Sequence, residues 1–159
     1  MAKAKKKPEP EGIETIADNR RARYDYEISD TFEAGLELKG SEVKSLRERH
    51  VNFADAYAIV KAGEVLLVGL KIEPYKQATH EQHEPDRTRR LLLRADEIRR
   101  LEKATEQKGL TVVPLKLYFK RGWAKVLIGV AKGKTHTDRR EDVKRREADR
   151  EVARALRRG

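Results

Sequence analysis

Apolar and polar residues alternate at 24–28 and 32–38, and this period-two pattern predicts strands with one buried face. Apolar and β-branched runs between turn residues predict further strands downstream. The predicted strand segments are 24–28, 32–38, 57–60, 65–72, 90–93, 110–119 and 123–131. Residues 61–64 and 120–122 join successive segments into hairpins. Because Pro114 has no N–H to donate, its strand is predicted to lie at an edge or to be bulged there.

Two segments have helical spacing instead. Residues 42–48 follow Ser41, a favoured N-cap, and carry apolar residues three positions apart on one face. Residues 96–108 begin with acids, end with a lysine and precede Gly109, which suits the helix dipole and a C-cap. The sequence therefore predicts a mostly β protein with two or more short helices.

Short strands, tight turns and an inserted helix together favour an oligonucleotide-binding (OB) type antiparallel β-barrel, with a ferredoxin-like sheet as the alternative. We assign residues 19–131 to this barrel. Residues 1–18 are rich in Lys, Pro, Glu and Gly and are predicted to form a flexible basic arm. Residues 132–159 contain eleven Lys or Arg, six Asp or Glu and few apolar side chains. We interpret them as a basic tail that is disordered alone and helical against an anionic surface.

The overall charge adds a partner class to this picture. The 159 residues include 37 Lys or Arg and 27 Asp or Glu, a net charge of +10, which favours nucleic acid first and an acidic membrane surface second. No cysteine is present, which excludes disulfides and thiolate sites. No apolar run approaches the roughly 18 residues that span a bilayer, and the basic start of the chain lacks the apolar region of a secretory signal. These features predict a cytoplasmic protein with no membrane partner.

Two motifs suggest catalysis, but neither has the spacing that it needs. His80 and His83 are three residues apart, whereas a helical zinc protease places them four apart. Gly129 and Gly133 enclose three residues, one fewer than a phosphate-binding loop requires. We therefore predict no catalytic residue, no metal and no cofactor. A metal-dependent nuclease that uses the loop of residues 80–86 is the enzymatic alternative.

Clusters of basic residues favour RNA binding. Arg and Lys donate charge-assisted hydrogen bonds to phosphate, and nearby aromatic side chains can stack on unpaired bases, with core packing as the alternative role of each aromatic. The basic clusters are Arg20, Arg21 and Arg23; Arg87, Arg89 and Arg90; and Lys116, Lys120, Arg121 and Lys125. The aromatic residues are Tyr24, Tyr75, Tyr118 and Trp123. Because such clusters do not specify an RNA, a generic barrel RNA chaperone or ribosome-associated factor is also compatible with them.

Five motifs, in order and without large gaps, closely resemble the SsrA-binding protein family, also called small protein B. They are Phe-Glu-Ala-Gly-Leu at 32–36, Gly-Ser-Glu-Val-Lys-Ser-Leu-Arg at 40–47, Arg-Thr-Arg-Arg-Leu-Leu-Leu at 87–93, the run 109–118, and Val-Ala-Lys-Gly-Lys at 130–134 with the charged residues 138–140. The resemblance implies an OB-type barrel with flanking helices. It also implies binding to the tRNA-like domain of transfer-messenger RNA, which the protein accompanies to stalled ribosomes for trans-translation.

The same resemblance implies partners and contact residues. The protein would contact the ribosome at the decoding centre and in the empty mRNA channel, which the tail probes. It would associate with elongation factor Tu only indirectly, through the charged RNA. The RNA-binding residues are Asn19, Arg20, Arg21, Arg23, Glu33, Lys44, Arg87, Arg89, Arg90, Leu92 and Lys125. The ribosome-contacting residues are Lys132, Lys134, His136, Asp138, Arg139 and Arg140.

Four positions do not follow from positive charge or from the family pattern alone. Glu33 is an acid at an RNA surface, which is reasonable if it accepts bonds from base N–H groups or positions a neighbouring Arg. Leu92 could alternatively be a core residue. The chain departs from the family pattern at Thr135 and Arg139, where many members have Lys, and we expect function to survive both changes.

Overall fold

The computed structural model describes residues 12–74, 83–107 and 109–133. The described part contains nine strands and three helices. The strands are β1 (Ile13–Asp18), β2 (Tyr26–Leu36), β3 (Val51–Asn52), β4 (Tyr57–Lys61), β5 (Glu64–Val68), β6 (Lys71–Ile72), β7 (Arg89–Leu92), β8 (Leu110–Lys120) and β9 (Trp123–Gly133). The helices are α1 (Arg20–Asp25), α2 (Gly40–Arg47) and α3 (Ala95–Thr105).

Six antiparallel strands close into a ring, which confirms the predicted OB-like barrel over the ferredoxin-like alternative. The main sheet has the order β1-β8-β4-β5-β7-β2-β9, and a further pairing of β8 with β9 closes it. Strand β8 has β9 along one edge and shares its other edge between two strands. Strand β4 pairs there only through Ala58 and Val112, whereas β1 pairs with residues 116–120.

The inward positions of the strands fill the barrel as the alternation predicts. Phe32, Ala34 and Leu36 of β2 are buried and Glu33 between them is exposed, whereas the outward-facing Gly35 is covered by Leu92. Leu46 of α2 and Leu101 of α3 are completely buried in the same core. Burying a leucine side chain fully stabilises the fold by about 1.5–3 kcal/mol, so these two residues attach their helices to the barrel.

A smaller apolar cluster holds α1 against the outer face of β8 and β9. It consists of Ala22, Val113, Leu115 and Ala131. Asn19 begins the helix: its Oδ1 accepts from the Ala22 N–H at 3.2 Å, and its Nδ2 donates to the Pro114 carbonyl at 2.8 Å. The register shift of the β8–β9 pair between positions 114 and 116 confirms the predicted bulge and turns that carbonyl toward Asn19.

Both predicted ends of the barrel need correction. Residues 13–18 form a strand, not part of a flexible arm, because the edge of β8 beyond its contact with β4 is open to pairing. Residues 20–25 are helical, although the alternation predicts a strand beginning at Tyr24. At the other end β9 continues to Gly133, two residues past the predicted limit. The remaining arm residues, 1–11, and the tail from 134 lie outside the described residues.

The two predicted helices are present with shifted ends. Helix α2 begins at Gly40 with Lys39, not Ser41, as its N-cap residue, and the Glu42 carboxylate accepts from the Lys39 backbone N–H at 2.8 Å. Helix α3 ends at Thr105, three residues earlier than predicted. Among the described residues, no helix is both long enough and apolar enough to cross a membrane.

Candidate nucleic-acid interface

Four adjacent strands place one outward-facing residue each in a single row across the barrel. Gly35 of β2 pairs with Leu92 of β7 on one side and with Lys125 of β9 on the other, and Lys125 pairs in turn with Tyr118 of β8. The next residue on each strand belongs to the barrel core, so these four face outward. We call Leu92, Gly35, Lys125 and Tyr118 the outer row. It brings together two predicted RNA contacts, and Glu33 is two residues from Gly35 on the same face.

Leu92 is exposed over 51% of its surface, so its alternative role as a core residue is wrong. Gly35 explains its position. A Cβ atom built at Gly35 would lie 3.2 Å from the Leu92 Cβ, closer than ordinary van der Waals contact. Glycine thus allows Leu92 to lie against β2, where it presents an apolar side chain beside Lys125.

The Glu33 carboxylate is fixed by two residues of β8. The Tyr118 hydroxyl donates to Oε2 at 2.5 Å, and Lys120 Nζ lies 3.3 Å from Oε1. The hydrogen bonds from Tyr118 and Lys120, together with the positive charges of Lys120 and Lys125, lower the pKa of Glu33 below its ordinary value despite partial burial. Burial and the bond to Glu33 raise the pKa of Tyr118. Glu33 is therefore an ionised acceptor, positioned by a tyrosine and a lysine and not by an arginine.

Replacing Tyr118 by phenylalanine removes the largest cause of the lowered pKa of Glu33. We expect RNA affinity at neutral pH to fall about fivefold, corresponding to about 1 kcal/mol for one lost hydrogen bond. The pKa of Glu33 should rise toward its ordinary value of 4.5, so the loss of binding on acidification should begin at higher pH. Affinity measured across the acid range tests this, with Tyr57→Phe on β4 as the matched control. If the pH at which RNA affinity begins to fall is the same in Tyr118→Phe and in the unaltered protein, Tyr118 does not position Glu33.

Arg89 is not a surface residue, which corrects its assignment as an RNA contact. It is completely buried, and its Nε donates to Glu42 Oε2 at 2.5 Å. Its other nitrogens donate to the carbonyls of residues 70, 85 and 87. Arg87, which is partly exposed, donates to the other oxygen of Glu42 at 2.6 Å. Burial opposes ionisation of Glu42, but the bonds from Arg87, Lys39 and Arg89 outweigh it and lower its pKa.

The other predicted basic residues are distributed over three places: β7, α2 and α1. Arg90 alternates outward with Leu92 and lies 3.7 Å from Glu64, close to the outer row. Lys44 lies on the exposed side of α2. Arg20, Arg21 and Arg23 are exposed on α1, where Asn19 is buried as the N-cap.

The α1 surface and the outer row are at opposite ends of β9. Lys132 pairs with Glu27 and Leu110, next to α1, and is seven residues from Lys125. At about 3.3 Å per residue the two lysines are about 23 Å apart along the strand. The barrel therefore presents two separate basic surfaces. The predicted ribosome contacts Lys134, His136, Asp138, Arg139 and Arg140 lie outside the described residues.

His83, in the loop of residues 80–86, is anchored through both nitrogens of its ring. Its Nδ1 lies 2.9 Å from Ser41 Oγ and its Nε2 lies 2.8 Å from the Ile72 carbonyl, so both ring nitrogens are engaged. Among the described residues, no three His, Cys, Asp or Glu side chains are grouped as metal ligands would be. His80 lies outside the described residues.

Sequence reasoning missed Gly35 as a site residue and left Tyr118 and Trp123 undecided between base stacking and core packing. Tyr118 is buried under Glu33, whereas Trp123 is 74% exposed at the edge of the outer row. A single glycine inside a strand is the signal that could have identified Gly35, because it marks a close approach of a neighbouring chain segment.

A closed antiparallel barrel with exposed aromatic and basic side chains on one outer face is typical of nucleic-acid-binding barrel domains. The chain matches the sequence profile of the SmpB protein over residues 16–158, and it therefore belongs to the SmpB family, which is an RNA-binding family. This confirms the resemblance found in its motifs.

Individual relatives agree with this assignment. The chain is 57% identical over 145 residues to the SsrA-binding protein of Nitratidesulfovibrio vulgaris, covering 91% of this chain and 94% of the relative. It is 50% identical over 156 residues to the SsrA-binding protein of Levilactobacillus brevis, covering 98% of each. A solved structure described as "tmRNA-SmpB: a journey to the center of the bacterial ribosome" is 53% identical, has a TM-score of 0.66, and covers 76% of this chain and 85% of its own.

Proposed function

We propose that this protein binds the tRNA-like domain of transfer-messenger RNA and delivers it to stalled ribosomes for trans-translation. The observation that carries the proposal is the identity of 50% or more, over nearly the whole chain, with proteins named for binding SsrA. The similar solved structure, described as tmRNA–SmpB in the bacterial ribosome, supports the same partners. The protein acts by occupying sites on two RNAs in the cytoplasm, and not by catalysis.

The outer row, with Arg90 and Glu33 beside it, supplies the groups that such an RNA contact needs. Lys125 and Arg90 provide positive charge for phosphates. Leu92 provides an apolar surface for a base or sugar. Glu33, ionised and already oriented by Tyr118, can accept hydrogen bonds from base N–H groups.

At the opposite end of the barrel, Lys132 and the residues after it are assigned to the ribosome, and Arg20, Arg21 and Arg23 on the adjacent α1 stay predicted contacts of transfer-messenger RNA. Lys132 lies there beside α1, and the chain continues from Gly133 toward His136, Asp138, Arg139 and Arg140. Because Lys125 and Lys132 are about 23 Å apart along β9, a ribosome contact at Lys132 would not overlap the RNA contact at the outer row. The tail would probe the empty mRNA channel at the decoding centre, and elongation factor Tu would join indirectly through the charged RNA.

Recovery of the RNA bound to this protein from cells, followed by sequencing, tests the proposal. Transfer-messenger RNA should be the most enriched species with the unaltered protein, and its enrichment should fall with Lys125→Ala. Lys103→Ala, which changes an exposed lysine on α3 that is not part of the outer row, is the matched control and should leave the enrichment unchanged. Enrichment of unrelated RNAs alone would favour a generic RNA chaperone.

Binding to RNA should weaken steeply with salt, because basic side chains displace counterions from phosphates. About six phosphate contacts would reduce the association constant by about three decades between about 50 and 200 mM salt. Lys125→Ala should lower the affinity and reduce the salt slope by about one unit, whereas Lys103→Ala should change neither. A salt-independent affinity would mean that phosphate contacts do not dominate the interface.

A further inference from the structure

A groove of about 430 Å³ runs beside the outer row between Leu92 and Trp123. Its other apolar walls include Leu36, Leu38, Val43 and Phe119. Leu92 and Trp123 are the most exposed large hydrophobic residues among those the structure describes. Exposed apolar side chains grouped around a concave surface indicate a contact with another molecule.

We propose that this groove receives one unstacked nucleobase of the bound RNA, with the indole of Trp123 stacked on the face of the base. The inference rests on the proposed function and specifies what part of the RNA enters the site. RNA loops are gripped in this way in general, because unpaired bases can leave the stack and lie on aromatic side chains. A base within a duplex is already stacked and cannot enter.

The size and polarity of the groove suit a base. Its volume is within the range of about 300–1,000 Å³ that is usual for small-molecule clefts. Its apolar walls match the faces of a base, and two polar residues at its rim, Glu37 and Lys125, can meet the base edge and its phosphate.

The charge around the groove and its position also favour RNA. Lys125 belongs to both the groove and the outer row, so an RNA strand held at the outer row passes the groove entrance. The guanidinium of Arg47 lies 4.9 Å from the ring centre of Phe119, another wall residue, and adds a second cation. An RNA strand brings both the planar apolar group and the negative charge that this arrangement complements.

Trp123 is the only tryptophan in the chain, so its fluorescence reports on this groove alone. The full-length protein is titrated with the isolated tRNA-like domain, and indole emission is recorded together with the anisotropy of labelled RNA. Emission should fall in step with binding, because a base stacked on indole quenches it. A blunt duplex of equal length, which has no unpaired base, should bind through charge and leave the emission unchanged.

Substitutions separate stacking from simple apolar contact. Trp123→Ala and Trp123→Leu should each weaken binding of the tRNA-like domain by about 5- to 150-fold, the range for loss of one base–aromatic stack. Trp123→Phe should recover most of the affinity because it keeps an aromatic face. Tyr57→Leu, which changes an exposed aromatic on β4, is the matched control and should have no effect.

Three results would overturn the groove proposal while leaving the proposed function intact. The first is Trp123 emission that stays unchanged while the tRNA-like domain binds tightly, and the second is full affinity in Trp123→Leu. The third is emission that depends on protein concentration in the absence of RNA, which would mean that a second copy of the protein covers the groove. Failure of the tRNA-like domain to bind more tightly than linear RNA would overturn both proposals.

Discussion

Replacing Glu42 by glutamine should lower the free energy of unfolding by about 3–5 kcal/mol, because it leaves a buried arginine without its counter-charge. Glu42 and Arg89 are both completely buried and directly bonded, and Arg87 shares the same carboxylate. The group ties α2 to β7 and to the loop before it. Urea denaturation of the purified variant, followed by circular dichroism, measures the effect.

Glu48→Gln, one residue past the end of α2, is the matched control. Glu48 is exposed and lies 3.5 Å from His50, so its loss should change the free energy of unfolding by less than about 0.5 kcal/mol. Equal stability of Glu42→Gln and the unaltered protein would contradict the role given to the buried group.

The stability difference should also depend on pH with a defined sign. The folded-state pKa of Glu42 is lowered, so its contribution is fully present above its ordinary value of 4.5 and is lost as the pH falls through the folded-state value. The unaltered protein and Glu42→Gln should therefore approach each other in stability only in acid. A difference that grows on acidification would contradict the ionised state of this carboxylate.

Ending the chain after Gly133 should abolish trans-translation, in which the nascent peptide on a stalled ribosome is tagged. The fold and the capture of transfer-messenger RNA should be preserved. Among the described residues, the strand pairs of β9 end at Gly133, so the truncated chain keeps the described ring of strands. The deleted residues include only Val143, Val152 and Leu156 as sizeable apolar side chains. They also include ten Lys or Arg against six Asp or Glu, so some nonspecific affinity should be lost.

Three measurements test these expectations separately. Thermal unfolding tests the fold, and affinity for the tRNA-like domain tests RNA capture. Tagging is measured in a reconstituted translation reaction on a message without a stop codon. Asp138→Ala combined with Arg139→Ala should reproduce the tagging defect in the full chain. A cut after Ala131 is less suitable, because it also removes the pairing of Lys132 with Leu110. Unfolding of the chain that ends at Gly133, or normal tagging without residues 134–159, would contradict this division of labour.

The barrel is largely predictable because its strands carry their own local signals. Alternation at Phe32, Ala34 and Leu36 is enough to orient β2, and the missing N–H of Pro114 is enough to predict an edge or a bulge, of which the β8–β9 pair shows the bulge. The two misread segments depend on long-range partners. Strand β1 forms because it can pair with a free edge of β8, which lies about a hundred residues further along the chain. Helix α1 has only six residues, and its capping residue, Asn19, bonds to β8.

The candidate site is less predictable, because its geometry depends on strand order. Period-two alternation in β7 already places Arg89 with Leu91 inside and Leu92 outside, so the buried arginine had a signal. Its counter-charge, Glu42, is 47 residues away and has no such signal. The bond from Tyr118 to Glu33 likewise requires that β2, β9 and β8 be neighbours, which their separation in the sequence does not reveal.

The central claim is that the outer row recognises a tRNA-like fold and not RNA in general. Competition between the isolated tRNA-like domain and a linear RNA of equal length and composition, at one fixed salt concentration, tests it most directly. We predict that the tRNA-like domain binds more tightly to the full-length protein and that Lys125→Ala and Glu33→Gln reduce this preference. Equal affinity for the two RNAs, unchanged in both variants, would contradict the claim.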